Sequence, residues 1–367
     1  MQIDISLFSI LDILTASTAL MLGLLFFTIK SQNRKANIFL GLFLWSISIQ
    51  LINGIVFDYY EEEDLEFTFL FFDPILFILL FLFFYLNTTI NKIINKWYYL
   101  LLIPGIIHNI SINVEALDEV FEDYDDLILV FYFFEILLLV YVFRILRNHK
   151  KKISNFYSEL EFKSLSWLKS ILIAILLFHF ILIVEGITGV EEAENEVWEG
   201  IFQFSSVILL LFIVYWIGYN GFSQPEIFKQ YLFQREDIDV ELQLKEQDSS
   251  KELQEKFSEI TSIIEQEKLY TNPKLNLRTL SVELDIKERE LSKLINHGSD
   301  SNFYHFINKF RVEEFKRLLQ SPKAKQLSIL GLSQEAGFTS KSTFYSTFKS
   351  FESMTPKQYE LSLKKSE

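Results

Sequence analysis

Apolar and polar positions divide this chain into two regimes. Up to residue 218 the apolar residues come in unbroken runs of roughly 20, the length that crosses a bilayer as a helix. They lie at about 5–29, 37–57, 67–87, 97–114, 127–147, 167–187 and 198–218, which predicts seven transmembrane helices. The fourth, "WYYLLLIPGIIHNISINV", is weakened by Pro104, His108 and Asn109. It is kept because the charge pattern of the loops requires it. A polar stretch follows at 219–251, where Gly221 and Pro225 are expected to end the seventh helix and open a linker reaching on the order of 30 Å. From 252 onward the apolar residues become periodic instead. Leu253, Phe257, Ile260 and Ile264 recur at helical spacing. They fit a short dimerising coiled coil or, the reading adopted, the first helix of a packed domain. The expected fold is all-α: a seven-helix membrane domain over 1–218, a linker over 219–251, and a helical C-terminal domain over 252–367.

Charge adds direction to this pattern. Lys30, Arg34 and Lys35 follow the first run, Lys92 and Lys96 the third, and Arg144, Arg147 and Lys150 to Lys152 the fifth. The alternate loops, "DYYEEEDLE", "VEALDEVFEDYDD" and "VEEAENEV", are acidic and carry no Lys or Arg. Basic loops stay cytoplasmic, so the expected location is the inner membrane, multi-pass, with the N-terminus outside and the C-terminal domain in the cytoplasm. The first run lacks a basic leader and a small-residue cleavage site, and reads as a retained helix. From Lys268 onward there are 17 Lys/Arg against 11 Asp/Glu, although the whole chain carries −14. The two halves therefore suit different partners. With no Cys, disulfides and thiolate metal sites are excluded.

Ionisable side chains inside apolar helices are costly and mark functional candidates. Asp73, Glu135 and His179 are the candidates for signal sensing, as the lining of a ligand cavity. The plainer alternative is interhelical bonding of Glu135 to His179 or Asn53. The acidic loops could attract cations, or be merely solvated faces. They lack the ligand spacing of a calcium loop. The last apolar run has no Lys for a retinal Schiff base, and neither His108 nor His179 sits in a zinc-protease motif. No phosphate-binding loop, nucleophile elbow or metal-ligand cluster occurs, so neither an enzyme nor a cofactor is expected.

The C-terminal pattern is more specific. "NLRTLSVEL" (276–284) and "KERELSKLIN" (287–296) are short helices separated by Asp285 and Ile286, the spacing of a helix-turn-helix. A longer helix follows over 301–320. The unit then repeats as "QLSILGLSQEAG" (326–337), a turn at Phe338 and Thr339, and "SKSTFYSTFKSFE" (340–352). Gly337 suits a left-handed helix end, and Thr339 or Ser340 suits the next cap. Leu280, Leu291, Leu294, Leu332, Phe344 and Phe348 are assigned to the core.

The order Gly337-Phe338, Ser340-x-Ser342-x-Phe344, Phe348-Lys349, Thr355-Pro356 and Tyr359, with "INKFRVEE" upstream, resembles the AraC-type family of bacterial transcription regulators. The likeness spans roughly 265–365. Seven apolar helices followed by "QPEIF" are similar to a membrane-bound subgroup of that family. Ser281, Ser333, Asp285, Ser353 and Glu360 depart from the family pattern, and Glu360 removes an expected phosphate contact. The resemblance implies two recognition helices that enter successive major grooves of double-stranded promoter DNA. Arg289, Ser292 and Lys293 would read bases from the first, and Lys341, Ser342, Tyr345 and Ser346 from the second. Lys287, Lys309, Lys349 and Lys357 would bind phosphates. It also implies RNA polymerase as a partner and allows a homodimer. The expected function is a membrane-embedded one-component regulator that senses a small molecule or an envelope signal. The alternatives are a DNA-binding domain released by proteolysis from a passive anchor, and a transporter-like module that also reports.

Overall fold

The computed structural model describes residues 7–30, 33–62, 71–91, 94–113, 124–160, 164–188, 196–223 and 250–366. Among them every regular element is a helix, with one isolated β-bridge between Tyr157 and Asn276. Two compact units emerge: residues 1–145 with 167–229, and residues 146–166 with 230–367. The sequence-based division differs here, because it assigned 146–166 to the membrane half.

The first unit contains α1 (Leu7–Thr28), α2 (Arg34–Glu62), α3 (Ile75–Asn91), α4 (Ile103–Ser111), most of α5 (Tyr124–Ile153), α6 (Trp167–Thr188) and α7 (Glu196–Ser223). Helix α1 turns Ala16, Ala19, Gly23 and Phe26 inward and leaves Leu7, Ile10, Ile13 and Met21 exposed. Small residues let α1 and α2 approach closely. A Cβ added at Gly23 would sit 2.4 Å from the Trp45 ring, and one at Gly41 2.6 Å from Phe27. Exposed apolar residues continue on α6 (Ile173, Leu177, Phe180) and α7 (Ile201, Phe204, Tyr215). Such surfaces are ordinary against lipid and anomalous against water.

The expectation of seven spans is corrected. Among the described residues three helical stretches, Leu7–Thr28, Arg34–Phe57 and Gly200–Phe222, are long and apolar enough to cross a membrane; Ile75–Asn91 and Trp167–Ile181 are shorter apolar helices. The fourth predicted run is broken into a 3-10 helix, Lys96–Leu102, capped by Asn95, and the nine-residue α4 with Pro104 in its first turn. Its polar residues explain the break. Asn109 exchanges hydrogen bonds with the Asp73 backbone at 2.8 Å, and Asn113 does the same with Phe71 at 2.7 Å. These residues tie a short helix to the start of α3 instead of facing an apolar solvent. Gly221 is also corrected: α7 runs through it to Ser223, and a Cβ there would meet the Phe26 ring at 2.5 Å. It permits packing and does not end the helix. The acidic loops, apart from their helical ends, and the linker beyond Ser223 lie outside the described residues.

The second unit contains α8 (Ser250–Gln266), α9 (Leu277–Glu283), α10 (Glu288–Gly298), α11 (Phe303–Leu319), α12 (Ile329–Glu335), α13 (Lys341–Glu352) and α14 (Pro356–Ser366). Its interior is two clusters. Ile260, Ile264, Leu280, Leu291, Leu294 and Ile295 surround one, with Leu253 and Phe257 packed against it. The apolar face of α8 is thus core, as the adopted reading held. Leu332, Phe338, Phe344 and Phe348 build the other. Helix α11 belongs to both: Phe303, Phe306 and Ile307 enter the first cluster, and Val312, Phe315 and Leu318 the second. All six Leu and Phe positions assigned to the core are at most 2% exposed.

Candidate nucleic-acid interface

Each helix-turn-helix is set by a tight turn. In the first, α9 opens on a reciprocal cap between Asn276 and Thr279, and beyond its last residue the chain turns at Asp285, whose φ of 50° is left-handed. A short polar side chain tolerates that region better than most. In the second, Gly337 has φ 100°, and a Cβ there would lie 2.6 Å from the Tyr270 carbonyl oxygen. Only glycine fits this corner. Ser281 and Ser333 are buried, and each hydroxyl donates to the carbonyl three residues back, at 2.8 and 2.7 Å. That local bond is how serine is accommodated at a packed position.

Helix α13 is positioned from both ends and from below. Ser340 caps it by accepting from the Thr343 amide, Ser353 closes it in a left-handed conformation, and Phe344 packs on Phe315 at 4.7 Å between ring centres. Tyr304 on α11 reaches the Thr347 hydroxyl at 2.9 Å. What remains outward is the predicted reading face: Lys341, Ser342 and Ser346 are exposed and Tyr345 half-buried, with Lys349 exposed a turn further on. Lys341 lies 5.9 Å from the Tyr345 ring centre, a cation–π distance. Ser342 sits 2.9 Å from the capping Ser340 hydroxyl, and Ser346 donates to the Thr343 carbonyl at 3.1 Å. The acid at the helix end, Glu352, is held by Lys316 at 2.9 Å.

Helix α10 offers a different surface. Arg289 and Lys293 are exposed and Ser292 is half-buried, within 3.5 Å of Asn296. Glu288 and Glu290 flank Arg289 in the first turn. These acids complement the helix dipole but oppose an approaching polyanion. Lys287, Lys309 and Lys357 are exposed, and Lys357 is paired with Glu360 at 2.7 Å.

Within the second unit, Arg311 on α11 has no exposed surface. Its Nε donates to the Tyr270 carbonyl at 2.8 Å and its terminal nitrogens to Asn272, Asn308 and Ser158. Burial lowers its pKa to about 10, with Glu159 and Tyr304 opposing that shift, so it stays charged at neutral pH. Nearby, hydrogen bonds from Arg317 hold the Glu314 carboxyl below its ordinary range, against the opposing effect of burial, and Lys268 adds to them.

The sensing candidates separate into two pairs within the first unit. Glu135 bonds His179 at 2.8 Å. Asp73 bonds His108 at 2.9 Å and accepts from the Ile75 amide at the start of α3. Asn53 donates to the Phe72 carbonyl. Glu135 also lines an apolar cavity of about 10 Å³ with Leu79, Leu101, Pro104 and Phe134. That is room for about one water.

The residues that sequence reasoning missed are Ser154 to Glu159, between α5 and α6, which contact α9, α11 and α13 within the second unit. Their signal was an apolar set, Ile153, Phe156, Tyr157 and Leu160, inside what should be a short hydrophilic loop.

Comparison with known proteins agrees with this geometry. A family model described as a helix-turn-helix domain matches residues 280–361. Uncharacterized HTH-type transcriptional regulators of Staphylococcus aureus strains COL, MSSA476 and N315 are each 32% identical over 105 residues. That stretch is 29% of this chain and 13% of each relative, so the chain matches only a small part of their length. No solved structure matches. The C-terminal part of this chain is thus a helix-turn-helix domain.

Proposed function

We propose that this protein is a membrane-embedded, one-component transcription regulator without enzymatic activity. Its first unit responds to a small-molecule or envelope signal, and its helix-turn-helix domain binds promoter DNA sequence-specifically from the cytoplasmic side of the inner membrane. The observation that carries this reading is the outer face of α13. Lys341, Ser342, Tyr345, Ser346 and Lys349 point away from a rigid aromatic core and include no acid. Lysine can bond guanine acceptors, hydroxyls can bond several bases, and the tyrosine ring can meet a thymine methyl. Lys287, Lys309 and Lys349 supply phosphate contacts, so affinity falls steeply with salt. The first recognition helix contributes less, because Glu288 and Glu290 flank Arg289. A single domain then binds weakly, which favours a homodimer or the tether to the bilayer. Contact with RNA polymerase follows from the family resemblance alone.

For sensing, the Glu135–His179 bond is the element a signal would act on, since the adjacent cavity is too small for an organic ligand. A ligand or a change in the bilayer that separates α5 from α6 breaks this bond, and it shifts the protein only as far as it favours one arrangement over the other.

The test is genome-wide mapping of DNA crosslinked to the full-length protein, paired with immunoblots of membrane and soluble fractions. Full-length protein on discrete promoters supports a tethered regulator. Occupancy by a shortened soluble species alone would move the mechanism to proteolytic release. Absence of site-specific DNA would overturn the reading.

A further inference from the structure

The segment 154–160, between α5 and α6, is bound to the helix-turn-helix domain by its own oxygens. The Ser154 carbonyl accepts from the Tyr304 amide at the start of α11 at 3.0 Å, and the Phe156 carbonyl accepts from the Leu277 amide at the start of α9 at 2.9 Å. Glu159 accepts from the Thr339 and Thr343 hydroxyls at the start of α13, at 2.6 and 2.8 Å. Between these points the Ser158 carbonyl accepts from Asn308 at 3.0 Å, and its hydroxyl donates to the Leu275 carbonyl at 2.6 Å. Tyr157 and Leu160 are buried beneath the segment.

The strap thus accepts a backbone N–H at the starts of α9 and α11 and two side-chain hydroxyls at the start of α13. Helix N-termini present unpaired N–H groups and a positive dipole end, and are the places where a DNA backbone finds donors. The strap takes such donors from α9 and α11 and adds a carboxylate against the Thr339 and Thr343 hydroxyls at the first turn of α13. A fixed negative charge there opposes an approaching phosphate chain. The strap adds to the domain without supplying its main core: Phe156 packs against the first cluster from outside. Without Ser158, Arg311 keeps its bonds to Tyr270, Asn272 and Asn308, and neither aromatic cluster loses a member from its own helices.

We propose that the α5–α6 strap is an autoinhibitory element: docked, it holds the domain in a form that binds DNA weakly, and its withdrawal frees the helix N-termini for the DNA backbone. The strap is covalently continuous with α5 and α6, the helices that carry Glu135 and His179, so a signal at that pair has a direct route to it. The proposal rests on the DNA-binding reading above.

The experiment compares full-length wild type with Glu159→Ala and with Ser158→Ala/Glu159→Ala, all in lipid nanodiscs, for retention of a pool of random-sequence duplexes and of the duplexes each protein enriches. Both variants should bind about tenfold more tightly, within the usual range of coupling between sites. Damage to the fold could only weaken binding, so the expected gain separates release from destabilisation. A second pair, Glu159→Cys with Thr339→Cys, places the only two thiols in a chain without Cys. Joined by a short bismaleimide, it should bind more weakly than the same protein unjoined. Equal or weaker binding by the released variants, or no effect of the crosslink, overturns the strap proposal while leaving DNA binding intact. Failure of every protein to retain any duplex overturns both.

Discussion

Two glycines of the second helix-turn-helix respond oppositely to the same added methyl group. At Gly337 φ is 100°, and an alanine Cβ would lie 2.6 Å from the Tyr270 carbonyl oxygen, 2.9 Å from Thr271 Cα and 3.0 Å from Arg311 Nε. The backbone strain is about 1–3 kcal/mol. The clash is with backbone, and the displaced carbonyl is the acceptor for the buried Arg311 Nε. Loss of a hydrogen bond to a charged group adds about 1.5–3 kcal/mol. Gly337→Ala should therefore destabilise the domain by about 3–5 kcal/mol, a large part of the stability of an ordinary domain. Gly331, in the first turn of α12, has only ordinary contacts, the nearest being Leu327 Cβ at 3.4 Å. There alanine should stabilise by about 0.5 kcal/mol through reduced backbone entropy in the unfolded chain. Pulse proteolysis of C-terminally tagged full-length protein in membrane vesicles, across a urea series, reads both. With a slope of about 1–3 kcal/mol per molar urea, the Gly337→Ala midpoint should fall by at least about 1 M. Coincident midpoints for wild type and Gly337→Ala would refute the assignment of this corner.

Three further outcomes are expected. Arg289→Ala should weaken binding to a selected duplex by about 1–3 kcal/mol and relax specificity at one base pair; a uniform loss across sequences, read by gel shift, would make Arg289 a phosphate contact instead. Glu314 has a depressed carboxyl pKa in the folded domain, so its stabilisation is present above the unfolded value near about 4.3 and is lost as pH falls through the folded one. Because Arg317 and Lys268 are about half exposed, Glu314→Gln should lower stability at pH 7 by no more than about 1 kcal/mol, and urea midpoints of the two proteins should converge in acid. Glu135→Gln should leave expression unchanged and blunt the response of a reporter fused to a crosslinked promoter, and an unaltered response would remove the Glu135–His179 pair from signalling.

The helix-turn-helix domain was legible in the sequence because its information is local. Caps at Asn276, Ser328 and Ser340, the glycine at 337, and Phe or Leu at helical spacing each act within one turn of the chain. The first unit was less so, since an apolar run reports length and composition but not whether a polar residue finds a partner elsewhere. His108, Asn109 and Asn113 look like flaws in a span until Asp73 and Phe71 supply their bonds. The pairing of Glu135 with His179 is within reach of the sequence, yet Asp73 belongs to a separate cluster, a distinction that needs three-dimensional placement. The strap was illegible for the same reason: Ser158 and Arg311 are 153 positions apart, and no periodicity links them.

Helix α11 has a consequence for the genome as well as for the protein. It sends three residues into each hydrophobic cluster, and its 17 residues make a bar of about 25 Å between the two readers. A reader pair mounted on such a bar cannot adjust to its target. If the domain reads DNA as proposed, inserting a single base pair between the two half-sites turns one by about 35° around the duplex axis and defeats recognition although every contacted base is retained. The interval between the words is then as much part of the operator as their spelling, and mutations that alter only this spacing would silence a site that looks intact letter by letter.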